Sequence, residues 1–231
     1  MYRVLWIILP WLIALPACTG QDSQTSPNHP PDSLINASLF TDPDSNFIGL
    51  EELDSRDREN WQKPQMVITR LGDLSDKVVA DIGAGTGYFT MRLARKARRV
   101  VAIDIEQQFL DYINRRVERT PSSERLQVET RLTQPNDPSL RPEEADLVLL
   151  INTYSFIADR VDYFSKVHSG VAEGGRLVIV DFRKEPLPVG PPPEEKLHWD
   201  QIFLELDSAG FSRLEVDTTG LDYQYTVTAH R

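Results

Sequence analysis

The feature that most restricts the fold of this chain is its glycine-rich run, residues 81–88, which reads Asp-Ile-Gly-Ala-Gly-Thr-Gly-Tyr. The run follows a β-branched stretch, residues 77–82, and a short apolar stretch that ends in glycines is typical of a buried strand. Glycines after such a strand let the backbone approach a ligand, and a helix that follows offers unpaired N–H groups. The run therefore predicts a ligand site, with an ordinary tight turn as the alternative.

The spacing of the glycines argues against a dinucleotide as the ligand. A dinucleotide site requires Gly-x-Gly-x-x-Gly, whereas here the third glycine comes one residue early and Tyr88 stands at the dinucleotide position. Asp81 would repel a pyrophosphate but suits a ligand that carries an ammonium group. A second acid, Asp104, ends the next β-branched stretch, and its two acceptor oxygens suit a vicinal diol.

These two motifs resemble those of the class I S-adenosylmethionine-dependent methyltransferases, and the resemblance extends over residues 50–231. The first family motif is Asp/Glu-x-Gly-x-Gly-x-Gly, and the second is the acid after strand two that binds the ribose hydroxyls. The resemblance implies S-adenosylmethionine as the cofactor. It places the following residues around that cofactor: Asp81, Gly83, Ala84, Gly85, Gly87, Tyr88, Asp104, Ile105, Asp137 and Asn152.

The segment after the predicted fourth strand lies beside the transferable methyl group in this family. Here it reads Asn152-Thr-Tyr154-Ser, without the two prolines of the nucleic-acid amino-methylating enzymes. Asn152 and Tyr154 are therefore candidate catalytic residues, with packing at the strand end as an equal alternative. The resemblance further predicts that Trp61 and a proline-rich loop, residues 189–193, cover the site, although Trp61 could equally anchor the first helix.

Alternating strand and helix patterns predict an α/β fold, with a mostly parallel seven-stranded sheet and a C-terminal antiparallel hairpin. The resemblance implies that this is the Rossmann-like class I methyltransferase fold. Strands are predicted at residues 77–82, 100–104, 126–130, 146–151, 176–182, 213–218 and 223–230. Helices are predicted at residues 86–98, around Phe109, Ile113 and Val117, from Val161 to a stop at Gly174 and Gly175, and at residues 193–209.

Charge and composition restrict the partners. The formal net charge of −10 disfavours nucleic acid, because phosphate binding requires a basic face. The single cysteine excludes an internal disulfide and a cysteine-based zinc site, and the four histidines lack paired ligand spacing. We therefore expect neither a metal nor a nucleic-acid partner.

The N-terminal residues 1–18 are predicted to be a lipoprotein signal. The apolar stretch, residues 4–15, is shorter than the roughly 20 residues of a spanning helix. Residues 15–18, Leu-Pro-Ala-Cys, resemble a bacterial lipobox with Cys18 as the lipidated residue, and an uncleaved anchor is the alternative. A polar, proline-rich linker at residues 19–46 then leads to the methyltransferase domain at residues 47–231. The expected location is the bacterial cell envelope, on the periplasmic face of a membrane.

Two functions follow as hypotheses. The first is a methyltransferase that acts on a small-molecule, lipid or envelope acceptor. The second is a non-catalytic lipoprotein that binds S-adenosylmethionine or a nucleoside, because the cofactor is made in the cytosol and the predicted signal directs the chain outside it. Methyl transfer depends mainly on alignment and desolvation, so the lack of an evident catalytic triad does not decide between them.

Overall fold

A computed structural model describes residues 56–121 and 126–231 of the chain. The strands are β1 (Val78–Ile82), β2 (Arg99–Asp104), β3 (Val128–Leu132), β4 (Ala145–Ile151), β5 (Val171–Phe182), β6 (Ser212–Asp217) and β7 (Gln224–His230). The helices are α1 (Arg56–Gln62), α2 (Pro64–Arg70), α3 (Thr90–Leu93), α4 (Gln107–Arg119), α5 (Arg160–Gly170) and α6 (Trp199–Ser208). Single 3₁₀ turns occur at Tyr154–Phe156 and Pro193–Glu195.

The described strands form one seven-stranded sheet in the order β3-β2-β1-β4-β5-β7-β6. Strands β1 to β5 are parallel, β7 is antiparallel to β5, and β6 is antiparallel to β7. All residues of β1 are buried, as expected for a central parallel strand with both faces covered. The predicted fold class is confirmed.

Two apolar layers enclose the sheet. Phe164 of α5 and Ile202 of α6 pack on one face, and Val67 of α2 and Leu93 of α3 pack on the other. Consecutive strand residues contribute to opposite layers, because side chains alternate along a strand. Among the described residues no helix is long and apolar enough to cross a membrane.

Two glycine pairs behave differently from the sequence prediction. The helix predicted at residues 86–98 is regular only over Thr90–Leu93. Its start is delayed because Gly87 adopts a φ of 76°, outside the right-handed helical region, as does Gly85 before it at 52°. The predicted stop at Gly174 and Gly175 is also wrong, since α5 ends at Gly170 and β5 runs through both glycines. A Cβ on Gly175 would lie 2.8 Å from the Asp146 carbonyl oxygen, so a close strand approach requires that glycine.

Two further boundaries differ. The helix predicted from residue 193 begins at Trp199, after the Pro193–Glu195 turn, and the His198 imidazole accepts from Asp200 N at its start. The third strand is displaced by two residues at each end, to Val128–Leu132. The predicted signal, Cys18, the linker and the domain start at residue 47 lie outside the described residues.

An ion-pair network links Arg131 of β3 and Arg99 of β2 to Glu144, the residue before β4. The guanidinium of Arg131 donates to both oxygens of Glu144 at 2.9 and 3.0 Å, and Arg99 reaches the same carboxylate at 3.3 Å. The Glu144 side chain is only 3% exposed. The hydrogen bonds from Arg131 lower the pKa of Glu144 from 4.5 to about 2, so the carboxylate is ionised in the fold across the neutral range.

Replacement of Glu144 by glutamine is therefore expected to destabilise the fold by about 2 kcal/mol at pH 7, since Arg131 and Arg99 lose a charged acceptor and keep Glu129 as their shared partner. The folded pKa lies below the unfolded one, so the contribution of Glu144 is complete above about pH 5 and is lost as the pH falls towards 2. Urea unfolding of wild type and variant between pH 2.5 and 7 should show a difference that shrinks at low pH.

Glu143 provides the matched control, because its side chain is 59% exposed and pairs with Arg231 at the surface. Glu143→Gln should change the unfolding free energy by less than about 1 kcal/mol at either pH. A Glu144→Gln deficit that is equally large at pH 2.5 and pH 7 would contradict a role for the ionised carboxylate.

Candidate functional site

The carboxyl ends of the parallel strands share one edge of the sheet. The strand register places Ile82 level with Ile103 and Leu150, and Leu150 level with Ile179. The residues that follow each strand therefore line the edge in the order of the strands, with adjacent strands about 4.8 Å apart. This edge collects the predicted residues that follow β1, β2 and β4.

The three glycines after β1 serve different purposes. A Cβ on Gly83 would overlap the Thr153 side chain, and one on Gly87 would lie 2.6 Å from Cγ1 of Ile113 in α4. A Cβ on Gly85 would meet nothing within 4 Å. Packing therefore requires Gly83 and Gly87, whereas Gly85 leaves a stretch of backbone open to a ligand.

Asp104 holds this loop in place from the end of β2. Its Oδ2 accepts from Gly85 N at 2.8 Å, and its Oδ1 accepts from Glu106 N at 3.0 Å. Burial raises the pKa of Asp104, while the hydrogen bonds from Gly85 and Glu106 act in the opposite direction. Each carboxylate oxygen can accept a further hydrogen bond, so the residue can bind a diol while it keeps the loop fixed.

Asp81 adds a second buried carboxylate near the first. Its Oδ2 accepts from the Thr90 hydroxyl at 2.6 Å. Burial raises the pKa of Asp81 to about 6, and the negative charge of Asp104 adds to the rise. Two buried groups of the same charge favour a ligand that brings positive charge.

The remaining predicted residues of the glycine loop and the strand ends divide into exposed and buried groups. Ile105 is 51% exposed beside Asp104, as a contact for a planar base would be. Ala84 is buried against Leu110 and Ile113. Asp137 lies exposed in the loop after β3, where its carboxylate accepts from Ser139 N at 2.7 Å, a bond internal to that turn.

Tyr88 has a packing role in this structure. Its ring is buried, and the guanidinium carbons of Arg58 and Arg92 lie 4.2 and 3.8 Å from the ring centroid. The prediction of Tyr88 as a cofactor contact therefore needs correction. The glycine turn directs this side chain into the layer below α1 and α3.

Asn152 lies at the edge in a left-handed conformation, with φ of 55°. Its backbone N–H donates to Val180 O at 2.9 Å, and its side-chain Oδ1 accepts from Nε2 of Gln224 at 2.6 Å. Gln224 is fully buried, and its Oε1 has no hydrogen-bond partner within the described part of the chain. The bond from β7 leaves the Asn152 amide group with its donor side available to a ligand.

Tyr154, the other candidate catalytic residue, belongs to the core. Its side chain is fully buried, its hydroxyl donates to Glu205 Oε2 at 2.7 Å, and its ring stacks on Phe164 at 4.7 Å. Glu205 also accepts from Arg160 at 2.8 Å, so these groups join α5 to α6. The packing alternative therefore holds for Tyr154, and the prediction that it is a candidate catalytic residue needs correction.

The predicted cover of the site converges on the last residue of β5. The Trp61 ring stacks on Phe182 with 5.4 Å between centroids, and Gly190 of the proline-rich loop packs so closely that a Cβ would lie 2.6 Å from the Phe182 ring. Trp61 thus anchors α1 and covers the end of β5 at the same time.

Two residues at the edge were missed in the sequence analysis. Asp181 follows an apolar run near the end of β5, as Asp104 does at the end of β2, so the same pattern would have found it. Gln224 had no such signal, because its contact with Asn152 spans 72 residues.

The comparisons with known proteins agree with this geometry. Residues 80–177 match the methyltransferase domain family. The structure is similar to that of a SAM-dependent methyltransferase from Aquifex aeolicus, with 25% identity and a TM-score of 0.70, over 82% of this chain and 98% of that one. A putative type 11 methyltransferase from Sulfolobus solfataricus shares the fold, with 22% identity and a TM-score of 0.56, over 67% of this chain and 83% of that one.

Residues 80–177 thus resemble a methyltransferase domain, and the described residues share the fold of a SAM-dependent methyltransferase. The similarity to a SAM-dependent methyltransferase confirms the prediction of S-adenosylmethionine as the cofactor.

The curated relatives match over short segments. Ribosomal RNA small subunit methyltransferase A of Koribacter versatilis is 30% identical over 99 residues, which are 39% of this chain and 35% of that relative. The chain thus spans about a third of that relative's length, and 16% of the dimethyladenosine transferase of Schizosaccharomyces pombe.

The residues at the edge fit S-adenosylmethionine. Gly85 offers open backbone, Asp104 offers carboxylate oxygens for a ribose, and the buried Asp81 favours a cationic ligand. No cluster of three or more histidine, cysteine or acidic side chains in the described part of the chain could hold a metal. A separate cleft of about 460 Å³ lies between α2 and the strands β5 and β7, and contains none of the predicted site residues.

Gly85→Ala should weaken S-adenosylmethionine binding at least about 10-fold, because the added methyl group intrudes on the open backbone. Gly72→Ala is the matched control, since Gly72 also has a positive φ, 76°, and open space around it, but lies before β1. Both variants should lose about 1–2 kcal/mol of stability from left-handed strain.

Isothermal titration calorimetry and thermal unfolding of both variants separate these effects. Equal cofactor affinity in Gly85→Ala and Gly72→Ala would contradict the assignment of the Gly85 loop to the ligand.

Proposed function

We propose that this chain is an S-adenosylmethionine-dependent methyltransferase that transfers a methyl group to a small-molecule, lipid or envelope acceptor. The observation that carries the proposal is the open Gly85 loop, held by the buried Asp104 carboxylate at the carboxyl edge of the sheet. Ligands of open parallel α/β sheets bind at this edge.

Each residue at the edge has a role in this proposal. Asp104 binds the ribose hydroxyls, Ile105 packs against the adenine, and the Gly85 backbone lies under the amino-acid part of the cofactor. Asp81 balances the positive charge of the ligand from below. Asn152, held by Gln224, lies on the acceptor side.

The cofactor supplies an activated methyl group, and the chain supplies binding, orientation and exclusion of water. Orientation of two reactants in one site is worth several kcal/mol of the barrier. The Trp61 and Phe182 stack and the proline-rich loop cover the edge with apolar surface, which strengthens the electrostatic interactions beneath it. Binding and alignment of the cofactor require no transfer of protons between side chains.

Nucleic acid is not the acceptor in this proposal, although some curated relatives are named as ribosomal RNA methyltransferases. Those matches cover a minor part of each relative. The net charge of −10 opposes the binding of a polyanion, and low salt strengthens that repulsion. A small or membrane-bound acceptor is compatible with this charge.

We also propose that the chain is anchored in the cell envelope by lipid on Cys18, within the segment Leu-Pro-Ala-Cys at residues 15–18. Two acyl chains hold a protein on a membrane firmly, whereas one is marginal. The full chain expressed in bacteria with radiolabelled palmitate should be labelled, and Cys18→Ala should be unlabelled and leave the membrane fraction. Labelling that persists in Cys18→Ala would contradict the proposal.

Asp104→Ala should weaken S-adenosylmethionine binding about 100-fold, because it removes charged hydrogen bonds to the ribose and releases Gly85 N. Asp73→Ala is the control, since Asp73 likewise accepts from the backbone N–H two residues on, Ser75 N at 3.0 Å, but lies at the amino end of β1. Calorimetry should show wild-type affinity for Asp73→Ala.

Transfer itself is tested with cell extract, radiolabelled S-adenosylmethionine and purified protein. Label in an acceptor, absent with Asp104→Ala, supports the enzyme. Binding without any transfer would favour the non-catalytic alternative, and no binding at millimolar ligand would reject the cofactor.

A further inference from the structure

Asp181 is a buried carboxylate at the same edge that the roles above leave without a function. It is 7% exposed and lies one residue before the end of β5. The register pairs Ile151 with Val180, and Asn152 N donates to Val180 O, so Asp181 lies level with Asn152 on the next strand. Adjacent parallel strands are about 4.8 Å apart, which places Asp181 beside the acceptor side of the edge.

The Asp181 carboxylate is incompletely partnered. Its Oδ1 accepts from Phe182 N at 2.7 Å, and within residues 56–121 and 126–231 no second hydrogen bond or ion pair reaches it. A buried carboxylate costs free energy unless hydrogen bonds or an opposite charge compensate it. Its Oδ2 therefore has acceptor capacity that the fold does not use.

The surroundings of Asp181 raise its pKa, and no neighbouring side chain in the described part of the chain donates a hydrogen bond to its second oxygen. Burial raises the pKa of Asp181 to about 6, while Phe182 N–H and the Lys196 charge act in the opposite direction. Lys196 is only 2% exposed, and its ammonium donates to Glu185 O at 2.9 Å. Tyr225 of β7 is paired with Asp181 in the strand register, but its hydroxyl donates to Leu197 O at 3.0 Å.

We propose that Asp181 is the carboxylate that binds the methyl acceptor, and that the acceptor therefore presents an amino or hydroxyl group. This inference rests on the proposed function. The free Oδ2 accepts a hydrogen bond from the N–H or O–H of the acceptor and so directs a lone pair of that nitrogen or oxygen to the methyl carbon.

The proton balance follows from this arrangement. The acceptor nitrogen or oxygen forms a bond to the methyl carbon, the carbon–sulfur bond breaks with its electron pair left on sulfur, and the N–H or O–H proton passes to Asp181. The carboxylate becomes neutral as the proton arrives, and solvent removes the proton after the product leaves.

A test that needs no knowledge of the acceptor uses sinefungin, in which a carbon that bears an amino group replaces the methylated sulfur. That amino group occupies the position from which the methyl group is transferred. S-adenosylhomocysteine lacks it but shares the rest of the molecule. Both ligands share the ribose that Asp104 is proposed to bind, so the ratio of the two affinities cancels that contribution. Asp81 is the same in wild type and variant, so the change in the ratio when Asp181 is replaced reports on the Asp181 carboxylate alone.

Wild type should bind sinefungin about 10-fold or more tightly than S-adenosylhomocysteine, as expected for a charged hydrogen bond in a buried site. Asp181→Asn should reduce this ratio to about twofold or less and leave the S-adenosylhomocysteine affinity unchanged. Asp207→Asn, an exposed carboxylate on α6, should keep the wild-type ratio. Asp181→Ser, which can still accept from Phe182 N, provides a second variant if the asparagine variant does not fold.

The outcomes separate the two proposals. No binding of either ligand to wild type would overturn the proposed function and this inference together. Binding of S-adenosylhomocysteine without a preference for sinefungin, or a preference that survives both Asp181 variants, would overturn only the role of Asp181.

Discussion

The hydrogen bond from Gly85 N to Asp104 Oδ2, 2.8 Å long, is the interaction on which the site depends. It connects the loop after β1 to the end of β2. It also fixes Gly85 in a left-handed conformation, which sets the direction of the rest of the loop. A buried carboxylate is costly to desolvate, and the two backbone donors from Gly85 and Glu106 compensate part of that cost. The same hydrogen bonds that stabilise the loop thereby hold in position the carboxylate oxygens that we propose bind the ribose diol.

The parallel sheet explains why charged groups gather at one edge. Its central strands are apolar on both faces, so a polar side chain can be accommodated only near a strand end, where the chain turns out of the sheet. Asp104, Asp81 and Asp181 each occupy such a position, on β2, β1 and β5. Burial raises the pKa of all three carboxyl groups. Because each buried carboxylate is stabilised by a nearby positive charge, this row of acids favours a ligand that carries positive charge.

The sequence was informative wherever a short-range pattern controlled the structure. The fold class, and the position of Asp104 at the end of β2, followed from strand periodicity and glycine spacing. The side-chain direction after a strand did not, because the turn geometry decides it. Tyr154 rotates into the core to reach Glu205, and Tyr88 turns under α1. The Gln224 contact with Asn152 depends on an antiparallel return strand, which no local pattern encodes. The predicted lipid anchor, Cys18, lies outside the described residues and remains a prediction.

The apolar cover and the acidic edge act together on methyl transfer. The Trp61 and Phe182 stack, with Gly190 packed against it, lowers the local dielectric above the edge. In the proposed reaction a cationic donor and an ionised Asp181 become a neutral thioether and a neutral acid, so charge disappears along the reaction path. Water would stabilise the separated charges of the starting state more than the products. Exclusion of water by the cover therefore favours the forward step, provided that the fold itself has already paid the cost of burying the carboxylate.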